Sequence, residues 1–372
     1  VTTGSPPPGG VLDAAVLGGG TAGAAAALLL ARAGCAVAVL ERRAQPPAVA
    51  IGEGVPPTAR PLLARLGLLE AVEAGPHGRS YANRAAWGED AVREHDFIRT
   101  PHAHGWHLDR PAFDAMLLAR AARAGAHVQR PARLVAPPRR ENGAWTLTVQ
   151  RGSSLRALRA RFVIDATGRS GAFARAAGAR REVIDRLVAF WRVLPAVGDA
   201  DDHATLVESF PGGWAYTAAI PGGRRAVALL TDAGTPIARA ARSAEGFGAL
   251  LAATRHVHAA AGCPPAAEAP VATGAGTSRL PAPYGEGWLA VGDAALAVDP
   301  LSSQGIVTAL YSAEKGAAAA YHALDGRTDA LPKYAALLES IFTGYLHARA
   351  AAYSAERRWP GEPFWRSRVG RP

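Results

Sequence analysis

The chain has 372 residues, 49% apolar and 19% charged, which excludes a disordered polypeptide and gives enough length for a large core in two lobes. Its formal charge of +10 comes almost wholly from arginine, but the arginines are dispersed and no basic block is interleaved with aromatics, which argues against a nucleic-acid partner. No apolar run reaches membrane-spanning length, and two cysteines, Cys35 and Cys263, fit a reduced cytoplasmic chain better than a disulfide scaffold.

Val1 to Gly10 is rich in Pro, Gly and Ser, lacks the basic start and apolar stretch of a signal peptide, and reads as a disordered tail. The small apolar residues Ala14–Leu17 then enter Gly18-Gly19-Gly20-Thr21-Ala22-Gly23, and an Ala/Leu-rich segment continues to Gly34. This is strand, tight turn and helix, with Gly18, Gly20 and Gly23 in the three glycine positions of G-x-G-x-x-G. The first glycine permits the turn, the second admits a pyrophosphate, and the third lets helix and strand pack closely. The exposed N–H groups of the helix start, Thr21 and Ala22 included, then face the phosphates. A second strand, Ala36–Leu40, ends in Glu41, 23 residues after Gly18, where a ribose-binding carboxylate belongs; Arg42 follows it.

Ile51-Gly52-Glu53-Gly54-Val55-Pro56-Pro57 cannot be helix interior, and a helix is expected from about Thr58 through Leu62, Leu63, Leu66 and Leu69. Short strands are expected between Tyr81 and Ile98. Asp109 is the expected N-cap of a helix through Phe113, Met116 and Leu117. Val128, Leu134-Val135 and Trp145–Val149 read as strands of a small sheet. A buried strand, Phe162–Ile164, leads into Asp165-Ala166-Thr167-Gly168. Residues 183–275 alternate as an antiparallel sheet, with Trp214, Tyr216, Ala218 and Ile220 on one face. Gly287–Val291 is a last buried strand ending in Gly292-Asp293. Asp299-Pro300-Leu301-Ser302-Ser303-Gln304-Gly305-Ile306 then opens a long Ala-rich helix to about Ala323, and the remainder is helical.

The three motifs Gly18-x-Gly20-x-x-Gly23, Asp165-Ala166-Thr167-Gly168 and Gly292-Asp293, in this order, resemble FAD-dependent monooxygenases of the para-hydroxybenzoate hydroxylase type over about the first 320 residues. The resemblance implies an α/β fold: a GR2-type, Rossmann-like FAD-binding domain, an antiparallel-sheet substrate domain and a helical C-terminal segment. By that likeness the FAD-binding domain comprises residues 11–75, 100–182 and 276–323. The substrate domain comprises 76–99 and 183–275, and the helical segment 324–372. The resemblance also implies that Ala166, Thr167 and Gly168 close over the dinucleotide and that Asp293, after Gly292, binds the ribityl chain. Arg110 matches the family's flavin-contacting arginine, and the helix behind Pro300, Ser303, Gln304, Gly305 and Ile306 points its N-terminus at the flavin.

Within that superfamily the chain is similar to flavin-dependent tryptophan halogenases, whose glycine motif and Gly-Glu segment reappear as Gly18–Gly23 and Gly52-Glu53. It departs from them at the lysine that handles hypohalous acid: segment 79–87 has none, and Lys315 and Lys333 are the only lysines. Ser302 stands where the halogenases have a glutamate, and Trp214-x-Tyr216 only partly matches their Trp-x-Trp-x-Ile-Pro. Arg79-Ser80-Tyr81, Gly105–Arg110, Asp299–Ile306 and Arg357-Arg358-Trp359-Pro360 look more like the flavoproteins that mature tryptophylquinone cofactors by hydroxylating a peptide-bound tryptophan.

The implied activity is hydroxylation of an aromatic ring, an indole either free or within a peptide, through a flavin C4a-hydroperoxide formed with O2. No second nucleotide motif is present, so NAD(P)H binds transiently or a separate flavin reductase supplies electrons. The candidate catalytic residues are His107, Glu53 and Ser302, and Trp191, Trp214 and Tyr216 are either substrate-pocket walls or ordinary core. His95, His102, His104 and His107 lack a cysteine or a helix-spaced pair, and no metal site is expected. The competing readings are a halogenase with non-standard catalytic groups and a flavin-binding maturation partner that does not turn over.

Overall fold

The computed structural model describes residues 10–47, 50–197, 203–262 and 268–368; Val1–Gly9 of the expected tail and Cys263 lie outside them. The strand Val11–Leu17 is flanked by Val37–Leu40 on one side and Ser154–Asp165 on the other, all parallel. His127–Gln129 extends this sheet beyond Val37–Leu40, and Trp288–Ala290 extends it beyond Ser154–Asp165. The sequence explains the parallel pairing. Val37–Leu40 and Trp288–Ala290 are buried at every position, as strands covered on both faces must be. The glycine-motif helix, Thr21–Arg32, packs against Arg110–Arg123 and Gly305–Leu324, and its alanines let these helices lie close.

The chain leaves Val11–Leu17 in one direction along the sheet and returns on its other side, so strand order reverses between Val11–Leu17 and Ser154–Asp165. In open α/β sheets the crevice at the carboxyl ends of strands flanking such a reversal is where ligands bind. The turns after these strands are Gly18–Gly20 and Ala166–Gly168, and Gly292-Asp293 lies beyond the neighbouring Trp288–Ala290.

A second, seven-stranded sheet runs in the order Val271–Gly274, Leu187–Pro195, Arg224–Asp232, Gly213–Ile220, Ala204–Phe210, Ala82–Ala86, Arg93–Asp96. All of its neighbours are antiparallel except Ala204–Phe210 with Ala82–Ala86. One face packs Phe190, Ala215, Val227 and Leu229 on the short helices between Pro236 and Ala261. The other carries Ala189, Trp191, Trp214 and Leu230 and meets Tyr353, Phe364 and Trp365 from the C-terminal helices.

Two expectations need correction. The helix expected through Leu69 is interrupted: a 3-10 turn, Pro57–Ala59, precedes Arg60–Arg65, and a separate helix spans Leu69–Glu73. Gly67 sits at φ +67°, Leu68 N–H donates to Leu63 O at 2.8 Å and Gly67 N–H to Ala64 O at 2.9 Å, which together form a Schellman stop. The small sheet expected to include Val128 is instead divided. His127–Gln129 joins the parallel sheet, while Arg133–Leu134, Arg139–Glu141 and Ala144–Arg151 form an antiparallel appendage on Ser154–Asp165. Among the described residues no helix is long and apolar enough to cross a membrane.

Candidate functional site

The first strand and the helix after it are held so close that their glycines have no alternative. A Cβ on Gly23 would lie 1.9 Å from Gly18 O, and one on Gly18, at φ +104°, would lie 2.3 Å from Ala166 O. Gly20 differs: nothing lies within 4 Å of where its Cβ would be, and the residue lines a cavity of about 410 Å³. The helix begins at Thr21 with no side-chain cap, so its first N–H groups are free to meet an anion. A cradle that is tight behind and open in front fits the pyrophosphate of a dinucleotide.

Glu41 ends the second strand and accepts from Gly19 N–H at 2.7 Å and Arg43 N–H at 2.8 Å, bracing the glycine turn; Arg42 is exposed beside it. Asp165 is fully buried and accepts from Thr167 N–H (2.9 Å), Thr167 Oγ1 (2.6 Å) and Ala174 N–H (2.8 Å). Those bonds fix the turn so that Ala166 and Gly168 face the cavity, while Thr167 serves the turn itself. Gly292 packs under Ala22, and Asp293 lines the cavity, with Arg169 Nε 3.4 Å from its Oδ2. Arg169 is further anchored on the carbonyls of Gly276 and Val298.

Arg110 opens the helix capped by Asp109, whose Oδ1 accepts from Ala112 N–H at 2.9 Å. Its guanidinium donates to Gly52 O at 2.7 Å and Thr21 Oγ1 at 3.3 Å, joining the Gly-Glu loop to the start of the glycine-motif helix. The Ala-rich helix Gly305–Leu324 also begins without a side-chain cap, and Pro300, Leu301, Ser303, Gly305 and Ile306 line the cavity beside it. Gln304 supplies the helix's N-cap residue. Ser302 faces its own loop instead: its hydroxyl donates to Asp299 O at 2.9 Å and accepts from Gln304 N–H at 3.3 Å.

The far wall is the second sheet. Ala189, Thr205, Val207, Trp214, Tyr216, Leu230 and the run Thr273–Ala275 line the cavity. Trp191, on the same sheet face, is set back from the lining and donates its indole N–H to Thr273 Oγ1 at 3.0 Å. His107 is also one layer back, buried, with Nε2 2.9 Å from Thr205 Oγ1. His95, on the outermost strand, and His104, against Trp106 and Arg60, sit apart from it. Among the described residues no three His, Cys, Asp or Glu side chains converge to hold a metal ion.

Glu53 is 3% exposed, lines the cavity, and has an Oε2 with no hydrogen-bond partner among the described residues. Burial pushes its pKa up; the backbone N–H groups of Glu53 and Gly52, the Arg110 charge and the Tyr216 hydroxyl pull the other way and do not cancel it. Burial, followed by the Glu53 charge, likewise drives the Tyr216 phenol well above its ordinary value. The wall residues Thr205, Val207, Thr273 and Arg169 escape a motif-based reading. Period-two alternation along Ala204–Phe210 pairs Thr205 with Val207, and Arg169 directly follows Ala166-Thr167-Gly168, so both signals were local.

The family model described as FAD binding domain matches residues 11–330. LodB of Marinomonas mediterranea, which bears the provisional name FAD-dependent oxidoreductase, is 28% identical over 299 residues, 78% of this chain and 78% of LodB. Among solved structures the flavin-dependent halogenase CmlS superposes with a TM-score of 0.85 at 26% identity, covering 98% of this chain and 68% of CmlS. The peptidyl tryptophan dihydroxylase QhpG, essential for tryptophylquinone cofactor biogenesis, superposes with a TM-score of 0.80 at 28% identity, covering 98% of this chain and 80% of QhpG.

Proposed function

The chain belongs to the FAD-binding domain family and is an FAD-dependent oxidoreductase, and from that premise we propose that it hydroxylates the indole ring of a tryptophan carried in a peptide. The observation that carries this reading is a shared space: the open side of Gly20, the Gly52-Glu53 loop, Asp293 and the aromatic wall of the second sheet line one cavity. FAD, when bound and reduced, supplies the activation of O2 for insertion into an electron-rich ring.

The protein's own groups divide the remaining work. Gly18, Gly20, Thr21, Ala22 and Gly23 would hold the pyrophosphate, Glu41 the adenosine ribose, and Asp293 with Arg110 the flavin half. The uncapped start of Gly305–Leu324 would favour negative charge on a flavin bound beside it. Trp214, Tyr216, Val207 and Leu230 give a largely apolar wall for an indole and keep water from the reacting edge. Glu53 Oε2 is the acceptor that an indole N–H would otherwise lack, because a buried N–H without a partner costs about 1–3 kcal/mol. Electrons come from transiently bound NAD(P)H or a separate flavin reductase.

The lysine pattern favours hydroxylation over halogenation. Lys315 pairs with Glu314 and Lys333 with Asp329, and neither lines the cavity. The test is a reaction of FAD-loaded protein, a reductant, O2 and a tryptophan peptide, with and without bromide, read by peptide mass. Gain of one or two oxygens irrespective of bromide is expected. Bromine in the product would establish the halogenase reading, and no oxygen uptake under any condition would establish a maturation partner without turnover.

A further inference from the structure

The two edges of the seven-stranded sheet are built differently. Arg93-Glu94-His95-Asp96 closes one edge with four charged or polar exposed side chains, of which Glu94 pairs with Arg84 at 2.5 Å. Such charges keep an exposed strand from pairing with another chain. The opposite edge, Val271-Ala272-Thr273-Gly274, carries no charge, and all four residues are exposed, Val271 by 53%. Among the described residues this strand pairs only with Leu187–Pro195.

The unguarded edge is also the one at the cavity. Thr273 and Gly274 line it, as does Ala189, the partner of Thr273 in the register. Ala275 N–H donates to Leu187 O at 2.9 Å, so in the alternating antiparallel pattern Thr273 and Val271 are the hydrogen-bonded positions. Ala272 and Gly274 therefore turn their N–H and C=O groups outward. A strand added there would place every second side chain on the face that carries Ala189, Trp214 and Leu230, the cavity's wall.

We propose that the open edge Val271–Gly274 docks the substrate polypeptide as an additional β-strand, which aims its tryptophan into the cavity. Main-chain hydrogen bonds supply affinity independent of flanking sequence, and the cavity supplies selection for the ring. The inference rests on the reading of the substrate as a peptide-borne tryptophan.

The test uses FAD-loaded protein and a labelled extended tryptophan peptide, with affinity read by fluorescence anisotropy. Ala272→Pro removes one outward N–H and no internal ladder bond, and should weaken binding roughly tenfold or more, whereas Ala272→Val, which keeps the N–H, should not. N-acetyl-tryptophanamide, too short to pair, should perturb the flavin spectrum equally in all three proteins. If Ala272→Pro loses its flavin, backbone N-methylation along the peptide decides with the wild-type chain: alternate positions should abolish binding and the others leave it intact. Wild-type affinity in Ala272→Pro, or N-methylation without alternation, would overturn edge docking while the peptide reading stands. If N-acetyl-tryptophanamide perturbs the flavin but no tryptophan peptide binds the wild-type chain, the peptide reading itself falls and takes edge docking with it.

Discussion

The Tyr353 hydroxyl donates to the buried Asp299 Oδ2 at 2.7 Å. The Tyr353 hydroxyl oxygen in turn accepts the Trp214 indole N–H at 3.1 Å, so one side chain of the C-terminal helix ties the loop before Gly305 to the aromatic wall. Arg349, from that helix, lies 3.6 Å from Asp299 Oδ2 and 3.0 Å from Asp185 Oδ2. Tyr353→Phe would leave the Trp214 N–H unpartnered and strip a donor from Asp299, which should cost about 1–3 kcal/mol in urea denaturation. A loss below a few tenths would mean that the contact is not formed in solution.

Gly20 and Gly23 should separate cofactor binding from folding. Gly23→Ala puts a methyl 1.9 Å from Gly18 O and should lower both melting temperature and flavin content. A Cβ at Gly20 meets nothing within 4 Å in the protein, so Gly20→Ala should keep its stability within about 0.5 kcal/mol of wild type. Its FAD affinity, measured by flavin fluorescence titration, should nonetheless fall by about tenfold or more.

Glu356 predicts the acid limb of stability. Burial alone would raise its pKa, but hydrogen bonds from Arg358, Ser209 and the N–H groups of Arg358 and Gly88 outweigh that and hold it at about 2, against an ordinary 4.5. Between those values the unfolded chain binds more protons than the folded one. The contribution of Glu356 is therefore complete above about pH 4.5 and is lost as pH falls toward 2. Urea midpoints across that window should decline more steeply in wild type than in Glu356→Gln.

Glu53 has the opposite shift. Burial raises its pKa, so the acceptor form gains population as pH rises through a value above the ordinary carboxylate range. The kcat/KM of the proposed hydroxylation should show an acidic limb that Glu53→Gln removes, with a loss of roughly 10- to 100-fold and unchanged flavin content. A peptide bearing 1-methyltryptophan should be insensitive to that substitution, because it has no N–H to place.

The glycine cradle was readable because strand, turn and helix lie within 23 residues and Gly23 is required by Gly18 O close by in sequence, whereas the contact that requires Gly18, Ala166 O, comes from a distant strand end. Glu41 shows where such reading thins, since its carboxylate also closes on Gly19 N–H, a bond that spacing does not reveal. The strand Ser154–Asp165 was legible only at Phe162–Ile164, because its first half is exposed and lacks an apolar run. The cavity's far wall collects Thr205 and Thr273 from strands separated in the sheet by three others, an assembly which no single segment encodes. Likewise Arg357-Arg358-Trp359-Pro360 is visible as a motif, but its role, Arg358 closing on Glu356 and Asp90 while Trp359 packs on Trp365, exists only in the folded chain.

The central claim is that one cavity holds both the flavin's reactive ring and the substrate indole. Titrating a tryptophan peptide into FAD-loaded protein, while recording the flavin absorption band, tests it directly. A saturable spectral shift with the tryptophan peptide and none with its alanine counterpart is predicted. Equal responses to both peptides, or a tryptophan peptide that binds without altering the flavin, would contradict it.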